Sequence, residues 1–393
     1  MHNPADYDFE PKGVDPDVVA GLPKVVLNDR VDGGLRPATL LELASAAGHE
    51  LPAGTPGELA SWFVEAAGSG NPKRYRAAFD HLVAVLQTPE AITRATREAV
   101  EDLADDNVVY AELRIAPELH VDGGMSMQDV VDAAVEGCRE GERAAAESGR
   151  DITVRLLLTA RCDSDPDLVE EVADLVADNV PENVDHPYVV GFDLTGDDED
   201  CTPFRHHQAF ERLRRKLVFS TVSAGESTGP EAIREAVIEG ANRLGQATRI
   251  YEDFTASLDG IELQFLSGYV RDQRIPLEVC ISANVACGAV EDIADHPFPL
   301  LDDLGFTCTV NTGARLLCGT SMTRELMLLV DNFDYGYTEL FQLTCNAIEN
   351  AFVDLPTRER ILDTLIYPHY LELTDRDNDG EIDRDDVMEM TLD

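Results

Sequence analysis

The chain has 393 residues, 44% of them hydrophobic, which is enough for one large domain with a sizeable core. Its charge is far from ordinary: 76 acidic residues against 31 basic ones give a formal net charge of −45, which excludes the basic face that a nucleic-acid partner needs. No run of 18 apolar residues occurs, so no membrane span is expected.

The acids are spread along the whole chain, and lysine stands only at positions 12, 24, 73 and 216. An acid-rich, lysine-poor surface stays hydrated in concentrated salt, where the Debye length shrinks to about 3 Å and self-repulsion is screened. The composition is therefore read as halophilic. The eight cysteines form no C-x-x-C pair, and several sit in apolar runs where cysteine acts as a small hydrophobe. With no leader-like stretch in residues 1–19, a reducing, cytoplasmic setting is expected.

In chain order, short apolar, β-branched runs alternate with helical stretches, the pattern of βα units and a parallel sheet. The expected strands are 25–31, 108–116, 152–160, 189–195, 219–224, 243–250, 276–282 and 306–312. Eight such units over this length predict a (β/α)8 TIM barrel with a helical insertion after the first strand, at 37–107. An open doubly wound sheet is the alternative, but no G-x-G-x-x-G follows the early strands. Within the insertion, Ala78, Phe79, Leu82, Val83 and Leu86 fall at helical spacing over 74–86, and Trp62 and Phe63 are expected to pack this cap. The predicted organisation is an N-terminal extension at 1–21, the barrel at 22–370 and an acidic tail at 371–393.

A barrel of this kind carries its chemistry at the C-terminal ends of its strands. Those ends hold Asn28 and Arg30, Arg114 to Glu118, Asp193 to Gly196, Ser223 to Glu226, Gln246, Ser282 to Asn284, and Asn311 to Gly313. A hydrolytic metal site needs three or four converging His, Asp, Glu or Cys ligands and an open position for water. Of the nine histidines, His120 alone falls near a strand end. His206 and His207 would point to opposite faces of a helix and are expected to be a solvated pair. The residues themselves spell no zinc site.

Leu22–Pro37, with Leu27-Asn28-Asp29-Arg30-Val31-Asp32-Gly33, resembles the first-strand L-H-x-H-L-D-G motif of the adenosine deaminase family. The likeness runs in order through Val109–Pro117, Val190–Gly196, Thr221–Glu226 (where the family has H-A-G-E), Arg243–Ala247 (R-x-G-H-G), Leu277–Cys280 with Asn284 and His296-Pro297, and Asn311-Thr312-Gly313 (N-T-D). In that family the two first-strand histidines, the H-A-G-E histidine and the N-T-D aspartate hold zinc, and the R-x-G-H-G histidine orients the zinc-bound hydroxide. The resemblance places Asn28, Arg30, Ser223 and Gly313 at the ligand positions and Gln246 at the orienting one, so zinc is expected to be absent. It also implies three retained contacts: Glu226 to the purine ring as the family acid, Gly196 by its backbone amide, and Asp32 near the ribose 5′-hydroxyl. Against those stand turn chemistry for Asp32 and Gly196 and an ion pair with Arg30 for Glu226.

The tail Asp375–Asp386 fits an EF-hand calcium loop, with Asp375, Asp377, Asp379 and Asp383 at oxygen-ligand positions and Glu381 supplying a carbonyl. Gly380 stands at the sharp turn and Ile382 at the pairing position. Asp386 replaces the usual bidentate glutamate, which should weaken binding; similar loops occur in dockerin repeats, though in pairs. Three functions are carried forward. The first is an adenosine-deaminase-like pseudoenzyme that binds a purine nucleoside or a protein partner. The second is an active zinc-dependent purine deaminase whose metal site is rebuilt from Asp29, Asp32, Glu226 or Asp193. The third is a calcium-dependent interaction or assembly module.

Overall fold

The structure is a computed structural model that describes residues 13–69, 72–180, 188–196, 202–258 and 260–373. Among them eight parallel strands follow one another round a barrel: β1 (Lys24–Arg30), β2 (Val108–Ile115), β3 (Thr153–Arg161), β4 (Val189–Thr195), β5 (Phe219–Ala224), β6 (Arg243–Gln246), and, after a hairpin of β7 (Phe254–Ser257) and β8 (Gly260–Leu263), β9 (Leu277–Val279) and β10 (Cys308–Val310). The open-sheet alternative fails because the two ends of the sheet meet. Asp29 bridges Gly313 in parallel, Arg30 N–H donates to the Gly313 carbonyl at 2.8 Å, and Gly313 N–H donates to the Asn28 carbonyl at 2.9 Å. The Asn311 side chain completes the seam, its Oδ1 accepting from the amides of Leu27 (2.8 Å) and Asn28 (3.1 Å).

Helices start where a short polar cap precedes a proline. Asp15, Thr55, Thr88 and Asp165 each accept from a first-turn amide, and proline opens the helix behind them. The insertion after β1 forms four helices, Pro37–Ala47, Pro56–Ala67, Pro72–Val85 and Pro89–Asp105. Phe63 is buried, and Trp62 lies edge-on to it at 5.2 Å and to His81 at 5.6 Å, so the expected cap packing holds.

Four expectations need correcting. The sixth strand stops at Gln246 rather than 250, because Gln246 and Ala247 turn to positive φ (66° and 49°) and a 3-10 helix follows. The seventh is only Leu277–Val279, with a helix from Ile281. The histidine pair is solvated only in part: His206 is buried with Nε2 2.8 Å from the Cys162 carbonyl, while His207 is exposed and reaches Glu239 at 2.9 Å from the other face. Cys162 is disulfide-bonded, whereas reduced cysteines were expected throughout. Among the described residues no helix is long and apolar enough to cross a membrane. The calcium-loop residues 375–386 lie outside the described residues.

The barrel interior is charged as well as apolar. Arg114 pairs with Asp193 at 2.9 Å and with Glu278, and Arg243 pairs with Glu112 and with Glu278 at 2.6 Å, all five side chains being at most 2% exposed. Burial alone would depress Arg114, but its two carboxylates outweigh that and raise it. Removing one partner of such a network leaves an uncompensated buried charge and costs about 3–5 kcal/mol.

Candidate functional site

The C-terminal ends of the strands form one mouth, and the resemblance positions converge there. Asn28 is buried at the closing seam. Arg30 binds Asp32 at two points, Nε to Oδ1 at 3.0 Å and Nη2 to Oδ2 at 3.1 Å, and its guanidinium lies 4.8 Å from the centre of the Phe79 ring. Burial would lower this guanidinium, but the pairing with Asp32 wins and holds it raised. The ion pair expected between Arg30 and Glu226 therefore goes to Asp32 instead. Asp32 also accepts from the Gly33 amide at 2.8 Å, the turn chemistry foreseen for it. Gly196 sits at φ 154°, a backbone state that favours glycine.

Ser223 Oγ lies 3.2 Å from Thr195 Oγ1. Gly245 permits this packing, since a Cβ there would stand 2.7 Å from that oxygen. Gln246 Oε1 accepts from Asn284 Nδ2 at 2.9 Å and from the Cys280 amide at 3.3 Å. Two consecutive non-glycine residues with positive φ cost about 1–3 kcal/mol each, a strain that clusters at ligand clamps and active sites. Glu226 Oε1 accepts from Asn284 Nδ2 at 2.8 Å and from the Cys287 thiol at 3.3 Å.

Three of the carboxylates proposed for a rebuilt metal site are each paired with an arginine. Asp29 accepts from Thr312 at 2.6 Å and Arg315 at 2.9 Å, Asp32 serves Arg30, and Asp193 serves Arg114 and Thr159. His120 is fully buried, and burial depresses it below the usual imidazole range. Among the described residues no group of three or more His, Cys, Asp or Glu side chains is arranged to hold a metal ion.

These residues do not fit the zinc ion of the resemblance. Zinc takes thiolate, imidazole or carboxylate ligands, whereas an amide, a hydroxyl and a glycine occupy three of the four positions and a guanidinium, which cannot be deprotonated in a protein, the fourth. An acid at position 313 would also meet strain. The backbone there has φ 64°, and an added Cβ would lie 3.2 Å from Cys280 Sγ.

Residue reading missed two contributors. Tyr75, one turn before Phe79 on the helix over the mouth, interacts electrostatically with both Arg30 and Glu226, and burial pushes its hydroxyl well up. The i, i+4 spacing of Tyr75 and Phe79 is the available signal, but the helical spacing that Phe79 shares with Ala78, Leu82, Val83 and Leu86 reads as core. Asn284 and His296 were legible as motif residues, yet not as partners. Asn284 Oδ1 lies 3.2 Å from His296 Nε2, and His296 Nδ1 accepts the Phe298 amide at 3.0 Å.

The model of the family described as adenosine deaminase matches residues 23–368. The adenosine deaminase of Mycobacterium sp. (strain KMS) is 46% identical over 358 residues, covering 90% of this chain and 97% of that protein. Among solved structures, the adenine deaminase from Arthrobacter aurescens gives a TM-score of 0.75 at 23% identity, over 90% of this chain and 99% of that one. The apo N6-methyl-AMP deaminase from Arabidopsis thaliana gives 0.73 at 24%, over 89% and 98%. Identities this low speak for the shared fold, but the family match and the 46% relative go further: this chain belongs to the adenosine deaminase family.

Proposed function

We propose that this chain is a purine-nucleoside-binding member of the family that does not carry out zinc-dependent deamination. The observation that supports it most directly is how the acids of the mouth are employed. Asp29, Asp32 and Asp193 each sit on an arginine rather than facing a common centre. Unassisted water has a pKa near 15.7, against about 7 when zinc-bound, so without such a centre most of the hydrolytic rate is lost. Glu226, anchored by Asn284 and Cys287, keeps a polar handle at the position that the resemblance assigns to the purine ring. The relatives named adenosine deaminase support a purine as the ligand class.

The experiment is calorimetric titration of the full chain in molar KCl with adenosine, inosine and, as a control, uridine. Binding of a purine nucleoside without binding of uridine is expected. Failure of both purines to bind a folded sample would remove this reading and leave a protein-partner role. The tail Asp375–Asp386 is proposed as a separate calcium loop on the spacing of its acids, Gly380 and Ile382.

A further inference from the structure

We propose that the hairpin β7–β8 is a self-association surface, on which a second copy of this chain adds its own β7 about a two-fold axis. The hairpin is fixed to the barrel at its base, where the Phe254 and Phe306 ring centres lie 5.9 Å apart and Asp253 Oδ2 accepts the Ser267 amide at 2.8 Å. Beyond that base Thr255, Ala256, Ser257, Ile261 and Glu262 are all exposed, so neither face is covered. A two-stranded hairpin is marginal in water, and further strands or a packed face are what stabilise one.

The free hydrogen-bonding groups of β7 follow from its ladder. The Gln264 amide donates to the Asp253 carbonyl at 3.1 Å, which makes those two a hydrogen-bonded pair. Alternation along the antiparallel ladder gives the inward bonds to Thr255 with Glu262 and to Ser257 with Gly260. Ala256, opposite Ile261, is left with its N–H and C=O pointing away from β8. Neither group has a partner among the described residues. Two copies related by a two-fold axis at Ala256 exchange these two bonds, the self-complementary contact of a closed dimer.

Charge selects the occupant. Edge strands are ordinarily guarded by charged residues, and this chain has 76 acids in 393 residues, yet 254–258 and 263–270 hold no charged residue. Two chains of net charge −45 meet closely only where like charges do not face each other. An antiparallel β7 pair over 254–258 sets uncharged side chains against uncharged ones, whereas pairing through β8 would bring Glu262 beside its own copy. The exposed large hydrophobics also gather here. Leu258 is fully exposed, Phe265 is 81% exposed, and Tyr251, Ile261 and Tyr269 lie between 40% and 45%. Phe265 and Tyr269 share one face of the helix Phe265–Asp272 that follows β8. In the antiparallel pair the Leu258 tip of one copy comes opposite Phe254 of the other, beside the base from which that helix starts, so both copies cover apolar surface.

The test is sedimentation velocity of the full chain at rising concentration in molar KCl, where repulsion between copies is screened. Wild type is expected to pass from 43.0 kDa to twice that mass. Phe265→Glu and Ala256→Pro, both at exposed positions, should each hold the chain at the monomer mass; the proline removes the outward N–H and spares the bonds to β8. A wild type that stays monomeric up to its solubility limit overturns the proposal. So does a dimer that the folded variants keep, because its interface then lies elsewhere. Hydrogen exchange on wild type decides the matter even if neither variant folds. The amides of 254–258 should exchange more slowly in the concentrated sample than in the dilute one, and equal rates overturn the proposal.

Discussion

Arg30 and Asp32 face each other through two parallel hydrogen bonds of 3.0 and 3.1 Å, two residues apart on the turn that ends the first barrel strand. The geometry is the planar fork that guanidinium and carboxylate share, and Asp32 has no exposed surface while Arg30 keeps 17%. A histidine at position 30 could not reproduce it.

Removing the arginine should therefore be costly for stability rather than neutral. Arg30→Leu leaves Asp32 charged and buried without its partner, and should destabilise the chain by about 3 kcal/mol. Adding Asp32→Asn should recover much of that, because the stranded charge goes with it. Denaturant unfolding in molar KCl reads both, and an Arg30→Leu chain as stable as wild type would contradict the pairing.

Acid should unfold the protein through its buried histidines. His296 is lowered to about 4 from 6.5, so between those values the unfolded chain binds the proton that the folded one refuses. Its contribution is complete above about pH 6.5 and is lost as pH falls towards 4, a change of about 3 kcal/mol. His120 and His206 are depressed by burial in the same direction. His296→Gln should flatten the stability profile between pH 4 and 6.5. An unchanged slope would mean that His296 is not held neutral.

Stability should also fall as salt is withdrawn, since a chain of net charge −45 repels itself once screening is lost. A thermal midpoint that is the same in molar and millimolar KCl would remove the halophilic reading.

The barrel was legible because period and order carry it: β4 and β5 run over the very residues read as strands, and β2 is buried along its whole length. The shorter sixth and seventh strands were overdrawn, since apolar β-branched residues continue past Gln246 and Val279 and sequence does not reveal where φ changes sign. The hairpin β7–β8 escaped for the opposite reason. It is exposed, pairs only with itself and shows no buried alternation. At the site, the altered positions were readable one by one. That Arg30 would choose Asp32 over Glu226, or that Asn284 would orient both Glu226 and Gln246, depends on residues brought together from distant strands, and spacing along the chain says nothing about it.

Calcium should bind at Asp375–Asp386 with a dissociation constant on the order of 10⁻⁵ to 10⁻³ M, weak because Asp386 is one carbon shorter than the usual glutamate. Asp375→Ala should abolish it and Asp386→Glu should tighten it. Equal calcium binding by a chain truncated after Tyr370 would place the ion elsewhere.

The most direct measurement is metal content together with ammonia release from adenosine, on protein purified in molar salt without chelator and then supplied with zinc. The account predicts no stoichiometric zinc before or after supply and no turnover above the rate without protein. One zinc per chain with sustained deamination would contradict it, and would mean that the mouth assembles a metal centre from groups other than Asn28, Arg30, Ser223 and Gly313.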